Sequence, residues 1–100
     1  MKKAALLLAV TAAASPAFAD LALAASKNCM SCHAVERKLI GPSFNDVAAK
    51  YKDDKGATDK LAKKIMSGGA GVWGPIPMPA NTQVSEAEAK KLAEWVLQPK

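Results

Sequence analysis

Beyond residue 20, the apolar positions fall into helical spacings separated by polar or Gly/Pro-rich breaks. Leu21 to Asn28 is rich in Ala and Leu and predicts a short helix running into Cys29. Ile40-Gly41-Pro42-Ser43 predicts a turn, and Ser43 can cap a helix whose apolar set is Phe44, Val47, Ala48 and Tyr51, at i, i+3, i+4 and i+7. Asp53-Asp54-Lys55-Gly56 breaks that helix into a solvated loop. Thr58 can cap a third helix with Leu61, Ile65 and Met66 inward, ending near Gly68-Gly69. Residues 70–84 hold three Pro and two Gly and keep no period, which predicts a stiff loop. Ser85-Glu86-Ala87-Glu88 has the form of a capping box and opens a last helix, with Ala89, Leu92, Ala93 and Val96 on one face. No stretch sustains strand alternation, so the predicted fold class is all-α.

The first nineteen residues carry a different pattern. Two Lys are followed by an eleven-residue run from Ala4 to Ala14, then Ser15-Pro16, then Ala17-Phe18-Ala19. A basic start, a short apolar stretch and an Ala-x-Ala site make a secretory signal peptide. A spanning helix needs about 20 apolar residues, and Pro16 and Asp20 interrupt the run first. Residues 1–19 are therefore expected to be a signal peptide cleaved between Ala19 and Asp20. Residues 20–100 then form a single exported domain, a monomer with no stable membrane insertion.

Composition narrows the choice of function. Removal of residues 1–19 leaves 81 residues and lowers the formal net charge from +5 to +3, because Lys2 and Lys3 go with them. That is too weakly basic to argue for a polyanion, and five aromatics are too few to read bases by stacking. No nucleic-acid partner is expected. Two Cys make at most one bridge, so a disulfide-dense scaffold is excluded. A domain this short forms a marginal core from side chains alone, and a buried cofactor is one remedy.

The candidate chemistry lies in Cys29-Met30-Ser31-Cys32-His33. Cys-x-x-Cys-His is the attachment motif of c-type haem. Two thiols three residues apart on a tight turn can each bond one vinyl group of the porphyrin, and the next residue's imidazole then lands against the iron. A thioredoxin-like pair would need a βαβ context, and a zinc site would need four ligands where the chain has two Cys and one His. The second axial ligand is expected to be a Met, which paired with His raises the potential and suits electron transfer. Met1 leaves with the signal, Met30 sits in the attachment turn and Met66 fits a helix core face. Met78 lies 45 residues beyond His33 between Pro77 and Pro79, where two fixed φ angles lower the entropy of holding its sulfur.

The chain resembles the short bacterial class I cytochromes c, the c-551/c-552 type. The likeness covers essentially the whole of residues 20–100. It rests on Cys29–His33, Gly41-Pro42, Asp46-Val47-Ala48-Ala49-Lys50, Gly71-Val72-Trp73-Gly74-Pro75-Ile76-Pro77-Met78-Pro79 and Leu92-Ala93-Glu94-Trp95-Val96-Leu97. It implies about four short helices wrapped around one haem c, covalent through Cys29 and Cys32, with His33 and Met78 as axial pair. It implies a Pro42 carbonyl on the free ring nitrogen of His33, a Trp73 indole N–H on a haem propionate and Asn81 near the Met78 sulfur. Ala80 stands where the family often has Pro, and Lys64 where it often has Arg; Lys keeps the charge but cannot form the bidentate fork on a haem propionate. Phe44, Tyr51 and Trp95 read as pocket or helix packing.

With both axial positions filled, no vacancy remains for a substrate, so the expected function is one-electron transfer, not catalysis. Lys27, Lys38, Lys63 and Lys64 could ring an exposed haem edge, with transient, salt-sensitive contacts to redox proteins. The resemblance implies membrane bc-type complexes as donors and periplasmic nitrite reductases or terminal oxidases as acceptors. The competing reading is a sensor or peroxidase-like haem domain with an open distal site. A subunit held permanently in a larger enzyme would need a surplus apolar face, which is not evident in the linear sequence.

Overall fold

The computed structural model describes residues 16–98 and Lys100. Helix α1 spans Pro16–Ser26, α2 Phe44–Tyr51, α3 Ala57–Ser67 and α4 Glu86–Leu97, with a short 3-10 turn at Cys29–Ser31. The only extended pairing among the described residues is an isolated bridge between Gly69 and Met78, so the fold is all-α.

Helix α1 begins earlier than its Ala/Leu pattern suggests. Pro16 stands at its first position, where a missing N–H costs nothing, and the helix runs across the Ala19–Asp20 bond. The rest of the expected signal peptide, residues 1–15, lies outside the described residues. The helix stops before Asn28, which takes φ 66°. Asn tolerates that left-handed conformation better than most residues, and the reversal delivers the chain into the Cys29 turn.

Local signals set the other helices. Ser43 Oγ accepts the Asp46 N–H at 3.0 Å and starts α2, which buries Phe44 and Val47. The cap expected from Thr58 is not used: α3 starts at Ala57, and Thr58 lies inside it. Asp54 organises this start instead. Its carboxylate accepts the Gly56 N–H at 2.9 Å and pairs with Lys60 at 2.7 Å, while its carbonyl accepts the Ala57 N–H. An Asp two residues before a glycine makes its own turn, so the helix begins earlier than Thr58 would allow. Gly68 closes α3 at φ 72°, donating to the Lys64 carbonyl. The capping box at α4 is complete: Ser85 Oγ accepts from Glu88 N–H at 3.1 Å and Glu88 Oε1 from Ser85 N–H at 3.0 Å.

Helix α4 is the element against which the other three pack. Its expected face, Ala89, Leu92, Ala93 and Val96, is buried, joined by Trp95. Phe44, Val47, Ile65 and Val84 complete the core, and Phe44 meets the edge of Trp95 at 5.2 Å between ring centroids. Leu92 is the only large side chain among the described residues that is fully enclosed. The packed side chains form a thin layer, and a cavity lies beside it.

Candidate haem site

The turn at Cys29–Ser31 is wound by three short bonds: Ser31 N–H to Asn28 O, Cys32 N–H to Cys29 O and His33 N–H to Cys29 O, at 3.0–3.2 Å. This winding brings Cys29, Cys32 and His33 to the wall of one cavity, while Met30 and Ser31 stay off it. Both Cys are half-buried thiols. Burial pushes the Cys29 thiol up, and a backbone hydrogen bond only partly offsets this.

The orientation of His33 follows from the next turn. Gly41 N–H donates to Cys32 O at 2.7 Å, and Phe44 N–H donates to Ala34 O at 2.9 Å, folding residues 41–44 back over the imidazole. His33 Nδ1 then lies 2.8 Å from the Pro42 carbonyl. A carbonyl can only accept, so in the singly protonated ring the proton sits on Nδ1 and Nε2 keeps its lone pair. Phe44 stacks on the ring at 5.1 Å and 24°. Gly41 is needed for this fit, since a Cβ there would come within 2.8 Å of Nδ1 and closer still to Cε1. The sequence places Gly41 in a turn, but only the folded backbone reveals its contact with the imidazole.

Met78 comes from the loop after α3. Gly69 and Met78 exchange two backbone hydrogen bonds, at 3.0 and 2.8 Å, which close residues 70–77 into a loop. Gly68 allows the close approach, because a Cβ there would meet the Met78 carbonyl at 2.5 Å. Met78, Pro77 and Pro79 all line the cavity. Met66 packs against the core and does not line it.

Of the expected site residues, Cys29, Cys32, His33, Pro42, Trp73 and Met78 line this single cavity, and Asn81 does not. Asn81 Nδ2 donates to Ile65 O at 2.8 Å and at longer range to Pro79 O at 3.4 Å, so its amide hydrogens face carbonyls. Trp73 is 43% exposed at the rim, and the Lys50 ammonium lies 5.4 Å from its ring centroid. Lys38 and Lys64 also line the cavity, whereas Lys63 is exposed elsewhere on α3. Lys27 is not a rim cation: it pairs with Glu88 at 3.3 Å and donates to Gln83 O. An apolar rim does exist, contrary to the linear reading, because Ile40, Val72, Trp73 and Ile76 come from two distant segments.

The cavity holds about 330 Å³, within the range of small cofactor sites. Val47, Leu61, Ile65, Leu92, Ala93 and Val96 give it apolar walls, suited to a flat macrocycle. Two thiols, an imidazole and a thioether are the polarisable donors on those walls, a set that fits a thioether-bound haem and its iron.

A family model described as Cytochrome c matches residues 21–100. The chain is 54% identical over 79 residues to cytochrome c-552 of Nitrosomonas europaea, covering 79% of this chain and 77% of that one. It is 61% identical over 72 residues to cytochrome c-551 of Azotobacter vinelandii, covering 72% and 87%. The crystal structure of wild-type Nitrosomonas europaea cytochrome c552 superimposes with a TM-score of 0.76 at 53% identity, over 77% of this chain and 95% of that one. These likenesses span the folded domain, and the class they define is that of small, all-α c-type haem proteins. The chain belongs to the cytochrome c family. Its cofactor is therefore covalent haem c with its iron, and its field of action is electron transport.

Proposed function

We propose that the protein is a periplasmic one-electron carrier whose haem is bound through Cys29 and Cys32 and whose iron lies between His33 and Met78. The observation that carries this reading is the pair of pre-set walls. His33 is oriented by Pro42 and Phe44 on one segment, and Met78 is held by the Gly69 bridge on another. When bound, the haem supplies an iron that alternates between two oxidation states. The protein's part is to keep both states in nearly the same surroundings. A hydrogen bond from Nδ1 to Pro42 makes Nε2 a better donor and fixes the ring plane. The apolar walls exclude water, and a stiff loop limits the travel of the sulfur. His33 and Met78 would together hold the iron and leave no opening for a substrate, so the chain transfers electrons and catalyses nothing alone.

Residues 1–19 serve as the export signal, with Asp20 as the first mature residue. Trp73 and Lys64, both at the rim, are the groups available to the haem carboxylates. Electrons pass at the same rim, where Ile40, Val72 and Ile76 offer an apolar contact and Lys38 a positive charge. The partners are a bc-type membrane donor and a periplasmic nitrite reductase or terminal oxidase, met transiently.

The test is carbon monoxide added to the reduced protein. The wild type is expected to bind it slowly or not at all and, when oxidised, to show the far-red sulfur–iron band. Met78→Ala is expected to bind it at once and to have a lower reduction potential. Rapid binding by the wild type would show the open distal site of a sensor or peroxidase, and an unchanged potential in Met78→Ala would remove Met78 as ligand.

A further inference from the structure

The segment that carries the haem-attachment motif and the segment that carries Met78 are separated by about half of the folded chain, yet they are joined directly. Lys27 stands two residues before Cys29, and Gln83 five residues after Met78. Gln83 Nε2 donates to the Lys27 carbonyl at 3.1 Å, and Lys27 Nζ donates to the Gln83 carbonyl at 3.1 Å. The two residues thus hold each other through reciprocal side-chain-to-backbone bonds. Among the described residues, these are the hydrogen bonds that connect the two segments.

The connection continues toward Met78. Gln83 Nε2 also donates to Asn81 Oδ1 at 3.2 Å, so both of its amide hydrogens have acceptors. That contact sets which end of the Asn81 amide faces Gln83. The Asn81 NH2 group is turned the other way, onto Ile65 O at the end of α3 and Pro79 O beside Met78. The Asn81 backbone N–H reaches the same Ile65 carbonyl at 3.1 Å. On the opposite side, Lys27 Nζ lies 3.3 Å from Glu88 Oε2, within the capping box of α4. A continuous chain of hydrogen bonds therefore runs from the residue before the Cys29 turn to the residue after Met78, anchored to α3 and α4.

We propose that Lys27 and Gln83 form a latch that positions Met78 at the iron without touching it. Asn81 is the intermediate through which the latch acts. The inference rests on the reading of Met78 as axial ligand. Opening the latch leaves the Asn81 amide without its orienting partner and lets the loop exit drift, so Met78 leaves the iron more often. The helices keep their caps and their core.

The experiment uses the oxidised holoprotein and measures the rate at which cyanide or imidazole replaces Met78, followed by loss of the far-red band. Gln83→Ala and Lys27→Met are each expected to speed this exchange about three- to tenfold, the scale of one or two hydrogen bonds. Combining them should give less than the product of the two factors, because they break a shared link. Hydrogen exchange at the Met78 and Gly69 amides should quicken in the same variants. Asp54→Ala is the control: it removes the Gly56 and Lys60 bonds at the start of α3, far from the latch, and lowers Tm but leaves ligand exchange at the wild-type rate. If neither latch variant exchanges faster than wild type, or if Asp54→Ala matches them, the latch is wrong while Met78 ligation stands. If the wild type shows no far-red band and binds imidazole at once, Met78 is not the ligand and the latch falls with that reading.

Discussion

Among the described glycines, the one with the least room for a side chain lies beside the imidazole. Gly41 packs against the imidazole of His33, and a methyl group placed there would overlap the ring. Gly41→Ala is expected to push the ring off the Pro42 carbonyl and to destabilise the holoprotein by about 1–3 kcal/mol, the usual cost of overpacking. Thermal unfolding and the His33 Nδ1–H proton resonance check this. An unmoved resonance with wild-type Tm would show that the ring has room to spare. The motif around His33 is legible in sequence because its spacing is its chemistry. The need for glycine eight residues later is not, because it arises only where the backbone of one turn crosses the side chain of another. Asn81 teaches the same lesson: its type suggests a polar neighbour, but the fold decides that the neighbours are carbonyls.

Each helix start tests how far local signals reach. Ser43 and Ser85 act as read from sequence, because a cap and its N–H partner lie within three residues of each other. Thr58 does not, because Asp54 forms a turn with Gly56 and Lys60 first. Ser85→Ala should cost about 1 kcal/mol of stability. The capping box also has a pH signature. The Ser85 backbone N–H, with help from Lys27, holds the Glu88 carboxyl below its ordinary value. An unfolded Glu binds its proton at higher pH than the folded one, so this contribution is complete above the ordinary carboxylate range and is lost as pH falls through the folded value. Between pH 7 and pH 3, Tm should therefore fall less steeply in Glu88→Gln than in wild type. Parallel curves would mean that Glu88 titrates alike in both states. Lys60 draws the Asp54 carboxyl down in the same direction, chiefly through their hydrogen bond, and adds to the same acid limb.

Taken together, the elements enclose a space, and the space explains the economy of the core. Helix α4 collects the other three, yet the packed layer is thin and its open side is walled by Leu61, Ile65 and Val96 round the cavity. In the proposed seating, the macrocycle would complete that core. The rim combines apolar side chains with Lys38 and Lys64, so electron transfer to an acidic partner should slow as salt shortens the Debye length from about 30 Å at 0.01 M to about 10 Å at 0.1 M. Stopped-flow rates across that range check it, and a flat profile would leave the apolar rim alone to guide docking. Helix periods, caps, the attachment motif and the rigid Met loop were all present in the linear chain, since each depends on residues within a few positions of one another. The meeting of His33 and Met78 on the walls of one cavity, the apolar rim, the Gly41 contact and the Lys27–Gln83 link join residues far apart in sequence. No local pattern encodes such meetings, because they exist only once helix packing has fixed which distant backbones lie side by side.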